Sequence, residues 1–164
     1  MNANASELSA LKETLTSIHD RMDVILINYD TASLQRTLVT DQWNVLDEIG
    51  HINGWGLLFL DEARYMAQFP GRPFPYRIFT KSNFDDENEA LVARRRGWTL
   101  EQHRAENQQL SQGLSDLIDS LGGAAPDRPV PLPWDARPMN IEELLRYHHR
   151  HGDDHLREIL MRLE

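Results

Sequence analysis

The chain has 164 residues, a formal net charge of −9 and no cysteine. That length fits one domain spanning residues 1–164, able to bury roughly 70% of its unfolded-chain surface without disulfide or metal staples. The missing cysteines exclude thiol redox chemistry and thiolate metal sites, and the acidic balance argues against a nucleic-acid surface, since Arg94-Arg95-Arg96 is the one basic run and is short.

The opening residues Met1-Asn2-Ala3-Asn4-Ala5 lack the basic and apolar regions of a secretory signal. No apolar run approaches the ~18–20 residues of a membrane span. The expectation is a soluble, cytoplasmic protein with no membrane partner. The first helix has the cleanest period: Leu8, Leu11, Leu15, Ile18, Met22, Ile25/Leu26 and Tyr29 step by three and four, which predicts a helix from Ser6 to Tyr29. A linker of mixed polarity comes next. Asn44, with Asp47 three residues on, then caps a second helix that reaches Gln68, where Pro70-Gly71, Pro73 and Pro75 stop it. Apolar residues lie on most sides of this helix, so it is expected at the centre of the fold.

Pro70 to Lys81 is proline-rich and irregular, with Phe74, Tyr76 and Phe79, and reads as a packed crossover. A shorter helix from Phe84 to Arg96 breaks at Gly97. Thr99 and Gln102 cap a long polar helix to Leu121, which Gly122-Gly123 ends. Pro126, Pro129, Pro131 and Pro133 keep the chain extended to about Pro138, and Asn140 with Glu143 caps a last helix that runs nearly to the C-terminus. No strand-like alternation extends beyond the neighbourhood of Val130 and Leu132. The expected class is all-α: a core of four helices with a shorter helix in the crossover.

Four of the seven histidines fall in His148-His149-Arg150-His151-Gly152-Asp153-Asp154-His155 on that last helix. At ~100° per residue, His148, His151 and His155 share an arc of roughly 60° with Leu144, beside the apolar stripe, while His149 lies toward the polar edge. Imidazoles placed there must be hydrogen-bonded, charged or metal-bound, because burying an unpaired polar group costs on the order of 1–3 kcal/mol. His151 and His155, at i and i+4, stand one above the other and can reach one ion at ~2.0–2.1 Å. Such a pair can also be two histidines hydrogen-bonded to carboxylates. Its place beside the apolar stripe, with a third histidine one turn earlier, favours metal. A third ligand must then come from another helix. His103 sits in the polar stretch Glu101-Gln102-His103-Arg104 and reads as solvated; His19, beside Asp20 and Arg21, reads as rim. His51 shares its sector with Asp47, Trp55, Leu58 and Glu62, a sector that faces either solvent or a polar cavity.

The tryptophan-led capped helix Trp43-Asn44-Val45-Leu46-Asp47-Glu48-Ile49-Gly50-His51-Ile52-Asn53-Gly54-Trp55, paired with the late His151-Gly152-Asp153-Asp154-His155, resembles the DinB/YfiT-like superfamily of metalloenzymes. The resemblance spans about residues 6 to 163. It implies a DinB/YfiT-like four-helix bundle with a histidine triad, His51, His151 and His155, holding one divalent transition metal (Zn, Ni or Fe). Glu158 stands where the family often has Gln, and Gly152 is unusual inside a ligand-bearing turn, where it costs ~1 kcal/mol of helix propensity. The family includes thiol-dependent S-transferases, isomerases and hydrolases. The resemblance thus implies a metal-dependent enzyme acting on a small-molecule substrate, with a low-molecular-weight thiol as a candidate partner. The alternative is a non-catalytic, stress-related bundle that binds metal or ligand. Trp55 is expected to wall the substrate cavity, and His148 to be a pocket residue or a packed neighbour. Asp47 and Glu62 are the carboxylates expected near the metal, Asp47 chiefly as a cap. Bundles of this kind also pair through exposed helix faces, so a homodimer is compatible with the sequence.

Overall fold

A computed structural model describes residues 3–75, 84–133, 135 and 137–164, with side chains from residue 7 onward. The helices are α1 (Ala3–Asn28), α2 (Thr31–Arg36), α3 (Val45–Gln68), α4 (Phe84–Ala93), α5 (Leu100–Ser120) and α6 (Ile141–Leu163). Among the described residues there is no strand, only the isolated antiparallel bridges Leu38–Asn44 and Val130–Met139. No described helix is long and apolar enough to cross a membrane.

The three capping boxes stand where the sequence places them: Asn44 with Asp47, Thr99 with Gln102, and Asn140 with Glu143, each pair exchanging side-chain and backbone bonds. α1 begins at Ala3, three residues before the expected start at Ser6, and two further stretches differ. The linker after α1 contains a short helix, α2, because Asp30 accepts from the Ser33 N–H and starts a turn that Leu34 anchors by complete burial. The helix expected to reach Arg96 is regular only to Ala93 and continues as turns to Gly97, whose φ of 83° suits glycine. Phe74 packs edge-on against Tyr65, with ring centroids 5.6 Å apart. Tyr76 and Phe79 of the same crossover lie outside the described residues.

The packed pairs α1–α5, α5–α3, α3–α6 and α6–α1 close a ring of four helices, and α4 packs on α3 from outside. The interior forms two apolar clusters. One joins Leu8, Leu11 and Leu15 of α1 to Phe59 and Leu60 of α3, Leu110 and Leu114 of α5, and Leu144 and Leu145 of α6. The other joins Ile18, Met22 and Ile25 of α1 to Ile49 and Ile52 of α3 and to Leu156 and Ile159 of α6. Along α6, positions 148 to 155 fall between the clusters. The histidines therefore occupy a polar waist between two dry halves, which hold the helices in register on either side of it.

Candidate metal centre

α3 is buried nearly all round, and its two ends are tied down by the Asn44 cap and by the aromatic turn at Phe69. This settles the question that its helical sector leaves open: His51 faces a cavity inside the bundle and is only 3% exposed. Opposite it, α6 presents His151 and His155 one above the other, with ring centroids 4.5 Å apart. Nε2 of His51 lies 3.2 Å from Nε2 of His151. Potential ligand atoms of His51, His151 and His155 all lie within 4.8 Å of one another.

The arrangement fits a metal on three observations. Two nitrogens bound at ~2.05 Å in a tetrahedron stand about 3.3 Å apart, close to the separation of the two Nε2 atoms. Burial, then the neighbouring His151 and His155, push His51 down to about 2; burial, then His155, push His151 down to about 3. Both rings are therefore neutral at physiological pH, the form in which imidazole ligates. Among the described residues the Nδ1 atoms of His51 and His151 are buried without hydrogen-bond partners, and one Nε2–H donated between the two rings is the polar satisfaction they have.

The cavity has a volume of about 190 Å³ and is lined by Trp43, His51, Trp55, Phe59, Phe84, Asn88, Tyr147, His151 and His155. Trp55 walls it, stacked on Phe59 at 5.7 Å, and its Nε1–H donates to Asn88 Oδ1 at 2.8 Å. That bond turns the Asn88 oxygen to the indole and leaves the amide N–H groups as what Asn88 can offer a ligand. Burial raises the Tyr147 phenol above its ordinary value, which keeps it a protonated donor. No described lining residue is an acid, a lysine or an arginine.

A family model for the DinB superfamily matches residues 14–159. The chain belongs to the DinB superfamily. No curated protein and no solved structure matches it. As the DinB resemblance implies, α3 and α6 bring His51, His151 and His155 together, from positions 100 residues apart in sequence.

Of the other polar residues of this DinB bundle, His148 is the packed neighbour rather than the pocket residue and Asp47 is the cap, while His19, His103 and Glu62 lie where the sequence does not place them. His148 is 1% exposed and does not line the cavity: it packs between Phe59 (5.5 Å) and His19 (6.1 Å), over Gly56, where a Cβ would come within 2.9 Å of its Cε1. Burial, then His19 and His151, hold it well below its ordinary value. His19 is not at the rim and His103 is not solvated, each being 2% exposed. The His19 Nδ1–H donates to Asn107 Oδ1 at 2.7 Å, and the Asn107 amide donates back to the His19 carbonyl at 2.8 Å. Both imidazoles are lowered, chiefly by burial. Their polar sequence neighbours point outward while these two rings pack between helices. Asp47 caps α3 and meets Arg96 at 3.4 Å; Glu62 is buried but does not line the cavity. The carboxylate at the histidines is instead Glu48, fully buried, with Oε1 2.5 Å from His155 Nδ1.

Gly152, the oddity inside the ligand-bearing turn, faces Ile18 and Ile52 at the α1–α3–α6 junction. A Cβ there would meet Ile18 Cγ2 at 3.4 Å and Ile52 Cγ2 at 3.6 Å, ordinary contact distances. Gly152→Ala is therefore expected to stabilise the protein by about 0.5–1 kcal/mol through helix propensity, with metal content unchanged. Denaturant unfolding checks it; a destabilised variant would mean that the added methyl disturbs the packing of Ile18 and Ile52.

Proposed function

We propose that this protein is a metal-dependent enzyme in which His51, His151 and His155 hold one divalent transition metal, Zn, Ni or Fe, at the floor of the aromatic cavity. The observation that carries the reading is that all three histidines also line that cavity, so an ion on them keeps open positions toward whatever enters. Such an ion supplies Lewis acidity and lowers the pKa of a bound water or thiol.

The chain's own residues define the rest. Trp43, Trp55, Phe59 and Phe84 present flat apolar walls, and the Asn88 amide and Tyr147 hydroxyl supply donors for a substrate oxygen or halogen. A cavity of about 190 Å³ compares with the ~150 Å³ engineered cavity that takes up benzene. The substrate portion it accepts is thus about one ring in size and uncharged, with any polar remainder, such as that of a low-molecular-weight thiol, held outside. This favours transfer of a thiol to an apolar electrophile, or hydrolysis of a small apolar compound.

Elemental analysis of the untreated protein is expected to find about one equivalent of transition metal, and His51→Ala or His155→Ala less than a tenth of that. Equal metal in all three proteins would remove the site. Metal-loaded protein is then expected to accelerate displacement of chloride from chlorodinitrobenzene by small thiols, forming the aryl thioether and releasing chloride and the thiol proton. Metal retained without turnover across a broad thiol panel would favour the non-catalytic binding role instead.

A further inference from the structure

Glu48 lies on α3 one turn before His51, among Val45, Ile49 and Ile52, which are wholly buried. A fourth apolar side chain would fit that environment at no cost in desolvation. Glu48 is itself 0% exposed, and among the described residues neither of its carboxylate oxygens has a hydrogen-bond partner. Its closest polar neighbour is His155 Nδ1, at 2.5 Å from Oε1, an approach at ion-pair distance but off the direction of a hydrogen bond. Glu158 reaches the same nitrogen only at 4.0 Å and is half exposed.

A buried carboxylate that receives no hydrogen bond is costly, and that cost is offset when it takes a proton donor on a fixed bearing. Neutral imidazole has one N–H and one lone pair, so whichever nitrogen donates decides which one can ligate. We propose that Glu48 is a positioning residue: it holds the Nδ1–H of His155 and thereby presents His155 Nε2 to the site shared with His51 and His151. This rests on the metal reading above. The Nδ1 atoms of all three rings are buried without a hydrogen-bond partner, but among the described residues only that of His155 has a carboxylate within ion-pair distance. The His155 side chain is 27% exposed, which leaves it room to turn away unless something holds it.

The test is zinc and cobalt affinity, by competition with a chromophoric chelator, of the full chain and of Glu48→Gln and Glu48→Leu. Gln keeps an acceptor for the Nδ1–H and is expected to bind within about threefold of the parent, whereas Leu is expected to lose about 10–100-fold. The metal-free Leu variant should melt no lower than the parent. Equal losses in Gln and Leu would make Glu48 a direct ligand, and no loss in Leu would make it structural; either overturns the proposal while leaving the metal site intact. Two zinc equivalents in the parent falling to one in Leu would instead indicate a second ion on Glu48, His155 and Glu158, and would also overturn it. A parent that binds no metal overturns both readings. Should Glu48→Leu fail to fold, imidazole nitrogen NMR of the zinc-loaded parent decides: a proton on Nδ1 of His155 is expected, and a proton on Nε2 refutes the assignment.

Discussion

Acidification from pH 7 is expected to unfold the metal-free protein cooperatively with a midpoint near pH 5. Five imidazoles, His19, His51, His103, His148 and His151, are lowered in the folded chain, each chiefly by burial. In the unfolded chain each returns to about 6.5. Below that pH the unfolded state takes up protons that the folded state refuses, so stability falls as pH falls, until the folded rings themselves protonate. For His51 and His151 that lower limit is about 2 and about 3. His51 and His151 each contribute up to ~1.4 kcal/mol per pH unit inside that window, or roughly 2 kcal/mol at pH 5. His19, His103 and His148 act in the same direction, against the ~5–15 kcal/mol that stabilises an ordinary domain. Circular dichroism across a pH series checks this, and a native spectrum persisting below pH 4 would show that the imidazole waist carries no such penalty. His103→Asn, away from the metal ligands, is expected to make the pH dependence shallower. Loading the metal should move the midpoint to lower pH, because an ion bound only by the folded state adds to its stability.

The features legible in sequence are those whose partners lie within one turn. Asn44 and Asp47, Thr99 and Gln102, and Asn140 and Glu143 announce three helix starts because each box closes over three residues. His151 and His155 declare themselves by the i, i+4 step. His51 is different: its helix is buried on almost every side, so a hydrophobic wheel has no clear outer face against which to orient one histidine. The DinB resemblance supplies what periodicity lacks there. His19 and His103 mislead because solvated neighbours surround them in sequence, whereas His19's partner Asn107 is 88 residues away. Glu48 is hidden in the same way: next to the capping Asp47 it looks like one more first-turn acid, and only the α3–α6 packing brings it to His155, 107 residues on. Sequence shows the inventory of polar groups, but burial and cross-helix pairing depend on contacts that local pattern does not encode.

Replacing Glu106 is expected to cost about 3–5 kcal/mol, the largest effect of a single substitution outside the apolar core. Its partner Arg95 is 7% exposed and donates from Nε and Nη2 to the two Glu106 oxygens, both at 2.7 Å, and from Nη1 to the Leu91 carbonyl at 2.7 Å. The guanidinium also stands 5.6 Å over the Trp98 ring. Its stem lies along α3 where Gly50 and Gly54 leave room: a Cβ on Gly50 would come within 3.1 Å of Arg95 Cδ, and one on Gly54 within 3.1 Å of Nη1. Two glycines four residues apart thus form a groove on α3 that a charged side chain from the turn after α4 fills, with α5 supplying the counter-charge. Glu106→Ala leaves that guanidinium buried and unpaired, which is the costly case, whereas Arg95→Met with Glu106→Leu replaces both charges by apolar volume and is expected to recover most of the loss. Because α4 carries Phe84 and Asn88 into the cavity wall, the single variant should also weaken binding of apolar ligands before it unfolds. Denaturant unfolding of Arg95→Met, Glu106→Leu and the double variant checks the energetics, and tryptophan fluorescence, through Trp55 at its bond to Asn88, checks the wall. Additive losses in the double variant would mean that the two charges act independently, and that the glycine groove, rather than the ion pair, seats α4.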